Sequence, residues 1–130
     1  MIDIRVNFKP TNDDLNKLNQ KAWDHEHVDQ DYTAVLARSL GYVCAFSDDE
    51  LVAFVNVAWD GGKHAFILDT CVSPKFRRQG VASLIVKRAI ALAREGGADW
   101  LHVDYEGHLD TLYKNCGFRS TLAGLIYLRD

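Results

Sequence analysis

Between a strand pattern and a helix pattern, the chain reads Val72-Ser73-Pro74-Lys75-Phe76-Arg77-Arg78-Gln79-Gly80-Val81-Ala82. The apolar segment before this stretch predicts a strand, and helical spacing of apolar residues begins at Val81. The first turn of a helix has amide N–H groups without intrahelical partners, and the helix dipole adds a partial positive charge there. Arg77, Arg78 and Gly80, which lets the backbone approach a ligand closely, complete a loop typical of phosphate-binding sites.

This loop differs from the common nucleotide-binding loops, since it has neither the Gly-Lys-Ser/Thr of a Walker loop nor three glycines at dinucleotide-binding spacing. Instead, Arg77-x-x-Gly80-x-Ala82 resembles the acyl-CoA pyrophosphate signature of the GNAT superfamily of N-acyltransferases. Further along, Leu112-Tyr113-Lys114-Asn115-Cys116-Gly117-Phe118 is similar to the second family signature, Leu-Tyr-x-x-x-Gly-Phe. The two signatures stand in the family order, and one helix and one strand are predicted between them.

Length, composition and net charge limit the classes of protein to which the chain can belong. A chain of 130 residues, 48% hydrophobic and 25% charged, predicts one globular domain over residues 1–130. The net charge of −3 disfavours a nucleic-acid partner, and no apolar run is long enough for a membrane span. There is no signal-peptide pattern, and the three cysteines (Cys44, Cys71 and Cys116) are odd in number and far apart. We therefore expect a cytoplasmic protein without a disulfide framework or a zinc ribbon.

Periodicity predicts the element order β-α-α-β-β-β-α-β-α-β. The predicted strands cover residues 2–8, 42–46, 51–59, 64–72, 100–105 and 125–128, and the predicted helices begin after Thr11, near Tyr32, at Val81 and at His108. The strand–helix–strand unit around the arginine loop implies a right-handed parallel crossover. The fold class expected is therefore α+β, a GNAT-like mixed, mostly antiparallel central sheet flanked by helices.

The resemblance implies acetyl-CoA as the co-substrate. It assigns the pyrophosphate to the loop formed by Arg77, Arg78, Gln79, Gly80, Val81 and Ala82, adds Ser83 to the cofactor-binding residues, and places the backbone amides of Cys71 and Val72 against the pantetheine arm and the acyl carbonyl. A tight turn with solvated arginines is the alternative explanation of the loop. One position departs from the family pattern. Seven residues before Tyr113 many relatives carry an asparagine that binds the pantetheine arm, whereas this chain has Glu106, which is not an isosteric substitute.

Acyl transfer from a thioester needs a general acid for the departing thiolate and a neutral amine as nucleophile. Tyr113 is the expected acid, because it matches the family position and a phenol can protonate a thiolate; its alternative role is packing beside Phe118. Asp69 is the leading candidate for the base, because an unpaired carboxylate in an apolar strand is costly. A structural hydrogen-bonding role for Asp69 is equally consistent with the sequence, and Asp104, Glu106 and His64 are further candidates.

By the same resemblance, the acceptor pocket is built from the loop after the first helix and from neighbouring strand ends. Those segments supply Trp23, Asp24, His25, Glu26, Asp29, Tyr32, Trp59 and Asp60. Carboxylates with aromatic rings suit a cationic amine, although a solvated acidic loop has the same composition. His102, Asp104 and Glu106, or His25 with His27, lack recognised metal-ligand spacing, so no metal is expected.

The leading hypothesis is an N-acetyltransferase that moves an acetyl group from acetyl-CoA to a small-molecule or peptide amine by direct attack in a ternary complex. A route through an acyl-cysteine at Cys71 or Cys116 would need an activated thiolate, and neither has an adjacent histidine in the sequence. The alternative is a protein that is not an enzyme, a non-catalytic acyl-CoA sensor. It would bind acyl-CoA through the same loop and would need no general acid. A homodimer is left open.

Overall fold

Residues 1–23 and 26–129 are described in this computed structural model. The strands are β1 (Asp3–Val6), β2 (Ser39–Ser47), β3 (Glu50–Trp59), β4 (His64–Val72) and β5 (Trp100–His102), and the helices are α1 (Asn12–Ala22), α2 (Thr33–Ala37), α3 (Val81–Glu95) and α4 (Asp110–Asn115). The strands form one sheet in the order β1-β2-β3-β4-β5. All neighbours are antiparallel except β4 and β5, which are parallel and joined through α3. The predicted α+β class and the parallel crossover are confirmed.

The sheet has a buried layer on each face, as expected for central strands with near-continuous apolar sequence. On one face α3 supplies Ile85 and Ala89 to a core with Val55 and Ile67. On the other face α1 supplies Leu15 and Leu18, which pack with Phe54 and Cys71 of the sheet, among others. The central strands are therefore fixed from both sides, so the end of β4 has a defined position relative to α1 and α3.

Local signals account for where α1 begins. Thr11 is the N-cap: its side chain accepts a hydrogen bond from the Asp14 amide at 3.0 Å, and the Asp14 carboxylate accepts one from the Thr11 amide at 3.3 Å. This reciprocal capping box satisfies two of the amides that a helix start leaves unpaired. The helix ends at Ala22, so its C-terminal carbonyls lie where the acceptor loop begins.

The strands β4 and β5 are paired only near the start of β4. Their pairing runs only from His64↔Trp100 to Phe66↔His102, although β4 continues to Val72. Beyond Phe66, the backbone groups of β4 that face away from β3 have no strand partner among the described residues. The backbone at which the resemblance places the acyl carbonyl, near Cys71 and Val72, lies in this part of β4.

Several predicted boundaries require correction. The strand predicted over 125–128 is wrong for the single chain, because residues 119–129 have no helix or strand and lie exposed; an extended segment becomes a strand only with a paired neighbour. The strand predicted over 100–105 ends at His102, where β4 and β5 part. The helix predicted at His108 begins as a single 3-10 turn, Gly107–Leu109. Within the described residues, no helix is long and apolar enough to cross a bilayer.

Candidate active site

The arginine loop connects β4 to α3 through two tight turns. A 3-10 turn at Pro74–Phe76 is followed by turn residues 77–80, in which Arg78 (φ 62°) and Gly80 (φ 77°) are left-handed. Gly80 is the N-cap of α3, and its carbonyl accepts the hydrogen bond from the Leu84 amide at 3.1 Å. By helix geometry the amides of the preceding helical residues have no intrahelical acceptor. Left-handed residues before such amides form a concave anion site.

The loop borders a cavity of about 260 Å³. Its lining consists of Val72, Phe76, Arg77, Arg78, Gly80, Val81, Ala82, Ser83 and Leu112. Seven of the nine residues predicted to hold the cofactor therefore meet at one cavity. The other two, Gln79 and Cys71, do not line it: the Gln79 Nε2 donates to the Lys75 carbonyl at 3.2 Å and braces the loop, and the Cys71 side chain lies in the core on the α1 face.

The Arg77 side chain has a role that the sequence did not indicate. Its Nη2 donates to the Ala22 carbonyl at 2.6 Å, and its Nε donates to the Val72 carbonyl at 3.3 Å. The guanidinium thus ties the C-terminus of α1 to the end of β4, where the fixed fork of an arginine can bridge two acceptors. The Arg77 side chain therefore holds two backbone carbonyls, while Arg78 makes none of the hydrogen bonds found in the described part of the chain.

Asp69 lies at a bulge in β4. In the β3–β4 register Phe54 pairs with Cys71 and Asn56 with Leu68, so two β4 residues oppose one β3 residue. Asp69 itself is left-handed (φ 59°), a conformation that aspartate tolerates better than most residues. The bulge breaks the side-chain alternation, which explains why Ile67 and Val72, five positions apart, both pack on the α3 face.

The bulge places the Asp69 carboxylate near the α1 side of the sheet. Partial desolvation raises the pKa of Asp69, although the residue as a whole is exposed at the surface. Burial also raises the pKa of Tyr32, and the nearby charge of Asp69 raises it further. The Tyr32 hydroxyl accepts a hydrogen bond from Asn19 Nδ2 at 3.1 Å, and Asn19 Oδ1 accepts one from Trp23 Nε1 at 3.0 Å. The Asp69 carboxylate and the Tyr32 phenol are therefore close together on this side of the bulge, and Asn19 connects the phenol to the Trp23 indole.

Tyr113 lies on the opposite side of β4, only 3% exposed. Its ring stacks on Tyr105 (centroids 4.7 Å apart) and meets Phe118 edge to face at 5.7 Å. Burial raises the pKa of Tyr113, while the adjacent Thr70 hydroxyl lowers it. That contact lies outside normal hydrogen-bond geometry, which leaves Thr70 Oγ1 as a buried oxygen without a hydrogen-bond partner among the described residues. Tyr113 therefore faces the bulge from the α4 side but does not line the cavity.

The cysteines are poor candidates for acyl carriers. Burial raises the pKa of Cys71 to about 12, with a further contribution from the charge of Asp69, and burial raises the pKa of Cys44 to about 12 as well. Cys116 Sγ lies 3.8 Å from Ser83 Oγ, a weak contact with a neutral group. A thiol with so high a pKa is protonated at neutral pH and is a weak nucleophile.

The residues suggested for the acceptor pocket do not all meet. Trp59 ends β3 and Asp60 follows it, beside the start of β4. Trp59 is six residues along β3 from Ala53, the partner of Val72, or about 20 Å at a strand rise of about 3.3 Å per residue. There Asp60 Oδ1 accepts hydrogen bonds from the Gly62 amide at 2.7 Å and the His64 amide at 3.3 Å, a turn-forming role. Asp29 lies 3.2 Å from His27 Nε2. Asp24 and His25 lie outside the described residues.

Of the remaining candidates for the base, Asp104 lies close enough to Tyr113 for its charge to raise the pKa of that phenol, whereas Glu106 and His64 contact other side chains. Glu106 Oε2 is 3.5 Å from His108 Nδ1, with a side chain 84% exposed. His64 Nδ1, at the start of β4, lies 2.8 Å from His102 Nε2, at the end of β5. Within the described residues no three histidine, cysteine or carboxylate side chains converge as a metal site would require. Asn19 and Thr70 are site residues that sequence reasoning missed; Asn19 could have been found from its helical i, i+4 spacing to Trp23, whereas no sequence signal marks Thr70.

Comparisons with known proteins bear on the family and the fold of the chain. The family model described as "Acetyltransferase (GNAT) family" matches residues 8–118. The GNAT family protein SP0256 from Streptococcus pneumoniae is 25% identical with a TM-score of 0.80 over 99% of this chain and 98% of its own. Glucosamine-6-phosphate N-acetyltransferase from Arabidopsis thaliana is 15% identical (TM-score 0.77, 100% and 99% covered). The aminoglycoside N-acetyltransferase AAC(6')-Iy in complex with CoA is 19% identical (TM-score 0.75, 99% and 95% covered).

The two N-acetyltransferases that are 15% and 19% identical show that the fold is shared. At such low sequence identity a similar fold does not show a similar activity. Among proteins with curated descriptions, none matches this sequence. The family model nevertheless spans most of the chain and includes both the arginine loop and Tyr113. The chain therefore belongs to the GNAT acetyltransferase family.

Proposed function

We propose that the protein is an N-acetyltransferase that moves the acetyl group of acetyl-CoA to a primary amine by direct attack in a ternary complex. The observation that carries this proposal is the left-handed loop at Arg78 and Gly80, which turns the first amides of α3 towards the 260 Å³ cavity. A diphosphate bound there would accept hydrogen bonds from those amides and would be favoured by the helix dipole.

The donor arm is proposed to run from the loop into the opening between β4 and β5. In that position the thioester carbonyl would meet the backbone near Cys71 and Val72, where β4 has no outer strand partner among the described residues. An amide held in place can stabilise an oxyanion, and one such donor is worth about 10²–10³ in rate. The CoA complex of the aminoglycoside enzyme, which shares the fold, supports CoA as the donor.

The chemistry divides between the two sides of the bulge. The amine loses a proton, for which Asp69 is the proposed acceptor, and its nitrogen attacks the thioester carbon to give a tetrahedral oxyanion. The C–S bond then breaks, the carbonyl re-forms as an amide, and the sulfur takes a proton for which Tyr113 is the proposed source. The raised pKa of Asp69 brings this carboxyl closer to the range where a base both accepts and releases protons.

The acceptor is proposed to be a primary amine, on a small molecule or a peptide, that enters from the α1 side. Asp69 and Tyr32 offer a negative charge and a hydroxyl there, and Trp23 adds an aromatic edge that is 47% exposed. A protonated amine is attracted by both kinds of group. Structural neighbours whose names specify amino sugars or aminoglycosides as substrates are consistent with an amine acceptor. We further propose residues 1–130 as one domain and, from its three free cysteines, the cytoplasm as its location.

A non-catalytic acyl-CoA sensor is the second candidate, and one observation favours it. The Tyr113 hydroxyl is buried and does not line the cavity, as expected of a packing residue. Under that function the loop would bind acetyl-CoA, and bound amines would not be acetylated.

Replacing Tyr113 with phenylalanine separates the two candidates. The substitution keeps the ring that packs on Tyr105 and Phe118 and removes the proton, so the melting temperature and the affinity for CoA should stay near those of the parent. If Tyr113 is the acid, amine-dependent release of CoA falls by about 10²–10⁴-fold. Unchanged turnover would refute the role of Tyr113, and the absence of turnover in the parent with every amine tested would favour the sensor.

A further inference from the structure

Thr70 carries a buried side-chain oxygen that has no hydrogen-bond partner among the described residues. A buried hydroxyl costs free energy unless it is hydrogen-bonded, so an unpaired one in a folded protein calls for an explanation. Valine has nearly the same shape and would avoid this cost. The packing of the sheet therefore does not account for a hydroxyl at this position.

The bulge in β4 determines where this hydroxyl lies. Asp69 and Thr70 are the two β4 residues that oppose Val55 of β3 across the bulge. Asp69 is exposed, whereas the Thr70 Oγ1 is buried. Val55 and Tyr113 belong to the same core on the α3 face, and the Thr70 hydroxyl is close enough to that of Tyr113 to lower the pKa of the phenol. The bulge thus directs Asp69 and Thr70 to different surroundings, and Thr70 is the one beside Tyr113.

The Tyr113 hydroxyl also takes part in none of the hydrogen bonds found in the described part of the chain. Its ring is held between Tyr105 and Phe118, but the Tyr105 hydroxyl donates to Asp110 Oδ1 at 2.8 Å, and Phe118 has no polar group. The Thr70 and Tyr113 hydroxyls are therefore neighbours that lie outside normal hydrogen-bond geometry. A threonine hydroxyl can donate or accept, and its proton rotates to suit the partner.

A partner for the Tyr113 oxygen matters because transfer of its proton to a thiolate is unfavourable. A free phenol has a pKa of about 10 and a thiol one of about 8.5, a difference that favours phenol with thiolate by roughly 30-fold. Burial raises the pKa of Tyr113 further, as do the nearby ionisable groups of Cys116, Asp104 and Tyr105. A hydroxyl that donates to the phenolate oxygen opposes these effects, since it stabilises the charged form.

We propose that Thr70 is a positioning residue for the general acid: its hydroxyl turns towards Tyr113 and donates to the phenolate oxygen when the phenol gives its proton to the CoA thiolate. This inference rests on the acyl transfer proposed above. In that step the Tyr113 O–H bond breaks, an S–H bond forms on CoA, and the negative charge passes from sulfur to the phenolate oxygen. Thr70 keeps its own proton throughout, and a proton from water then restores the phenol.

The first test compares Thr70→Val, which removes the hydroxyl, with Thr70→Ser, which keeps it. A hydrogen bond to a charged group is worth about 10–100-fold, so kcat for amine acetylation should fall by up to that factor in Thr70→Val, and Thr70→Ser should recover most of the loss. The KM for acetyl-CoA should stay near that of the parent, because Thr70 does not line the cavity. The melting temperature of Thr70→Val should equal or exceed that of the parent, because an unpaired buried hydroxyl is removed. Loss of turnover that follows a fall in melting temperature, or that serine does not recover, would show a structural role and overturn the proposal.

The second test needs neither CoA nor turnover. Fluorotyrosine in place of tyrosine lowers the phenol pKa values into the range where the protein is folded, and ¹⁹F resonances are followed against pH; Tyr113→Phe identifies the Tyr113 signal among the five. Without the Thr70 donor the phenolate is less stable, so the pKa of Tyr113 should be higher in Thr70→Val than in the parent by about 1–2. The alkaline limb of the kcat profile should move to higher pH in the same direction. An unchanged pKa in folded Thr70→Val would overturn the proposal.

A double-mutant cycle separates this proposal from the acyl transfer on which it rests. In a Tyr113→Phe background Thr70→Val should cause no further loss of turnover, because the group through which Thr70 acts is absent. Equal losses in the two backgrounds would overturn the positioning role. A parent that acetylates no amine, or Tyr113→Phe with the turnover of the parent, would overturn the role of Tyr113 and this proposal with it. An active parent that loses turnover in Tyr113→Phe but not in Thr70→Val would overturn this proposal alone.

Discussion

Gly80→Ala tests the donor loop most sharply, because the structure provides a control with the same backbone cost. Gly80 has φ 77° and Gly61, in the turn between β3 and β4, has φ 83°. A Cβ at either position meets no heavy atom within 4 Å in the free protein. Each substitution should therefore lower the free energy of unfolding only by the cost of a left-handed alanine, about 1–2 kcal/mol. For a domain of this size that corresponds to a fall in melting temperature of roughly 3–8 °C for each variant.

The two variants should differ only when CoA is present. At Gly80 the new methyl group would occupy space beside the first amides of α3, where the diphosphate is proposed to lie. Losing one hydrogen bond to a charged group costs about 1.5–3 kcal/mol. This corresponds to a CoA affinity about 10–150-fold weaker for Gly80→Ala, with no change for Gly61→Ala.

Calorimetric titration with CoA measures this difference directly, and thermal shifts with and without CoA provide a second readout. Parent-like CoA affinity in Gly80→Ala would refute the assignment of the loop. Equal loss of affinity in the two variants would show that binding responds to general destabilisation and not to the phosphate site.

Further substitutions examine the groups around the bulge. Asp69→Asn should lower turnover if Asp69 is the base. It should also raise the free energy of unfolding at neutral pH, because a carboxyl whose pKa is raised in the folded protein opposes folding when it is ionised. In unfolding measured against pH, this gain should disappear below the ordinary carboxyl pKa of about 3.9. Cys71→Ala should keep amine acetylation, since the pKa of about 12 leaves the thiol protonated; loss of turnover in a folded variant would instead support an acyl-cysteine route. Arg77→Lys should lower the melting temperature and raise the KM for the amine, because an ammonium cannot bridge the Ala22 and Val72 carbonyls; a selective loss of CoA affinity would show that Arg77 contacts phosphate.

The order of the elements up to α4 and the turn that precedes α3 could be predicted because their signals are local. Strand and helix periodicities, the capping residue Thr11 and the glycine before α3 act within a few residues of the chain. Seven predicted cofactor residues meet at one cavity for the same reason: they are consecutive or nearly so, and the start of a helix aligns them.

The partners of Arg77, the face of Asp69 and the fate of the last predicted strand depend on tertiary contacts. The side chain of Arg77 could have faced a phosphate as the sequence suggests, but the end of α1, more than fifty residues away, provides a carbonyl acceptor. The face on which Asp69 lies is set by a bulge in the β3–β4 register, which no pattern within β4 alone determines. The final strand failed as a prediction because its apolar run identifies a segment suited to pairing but not the edge with which it pairs.

The most direct measurement follows the acetyl group itself. Acetyl-CoA labelled in the acetyl carbonyl is incubated with the protein and a panel of primary amines that includes small molecules and peptides, and the label and the free CoA thiol are counted in each fraction. Direct transfer predicts a labelled N-acetyl amine in equal amount to the CoA released, with no label on the protein at any time. Label retained on a cysteine would contradict direct attack, and bound acetyl-CoA that stays intact with every amine would contradict catalysis.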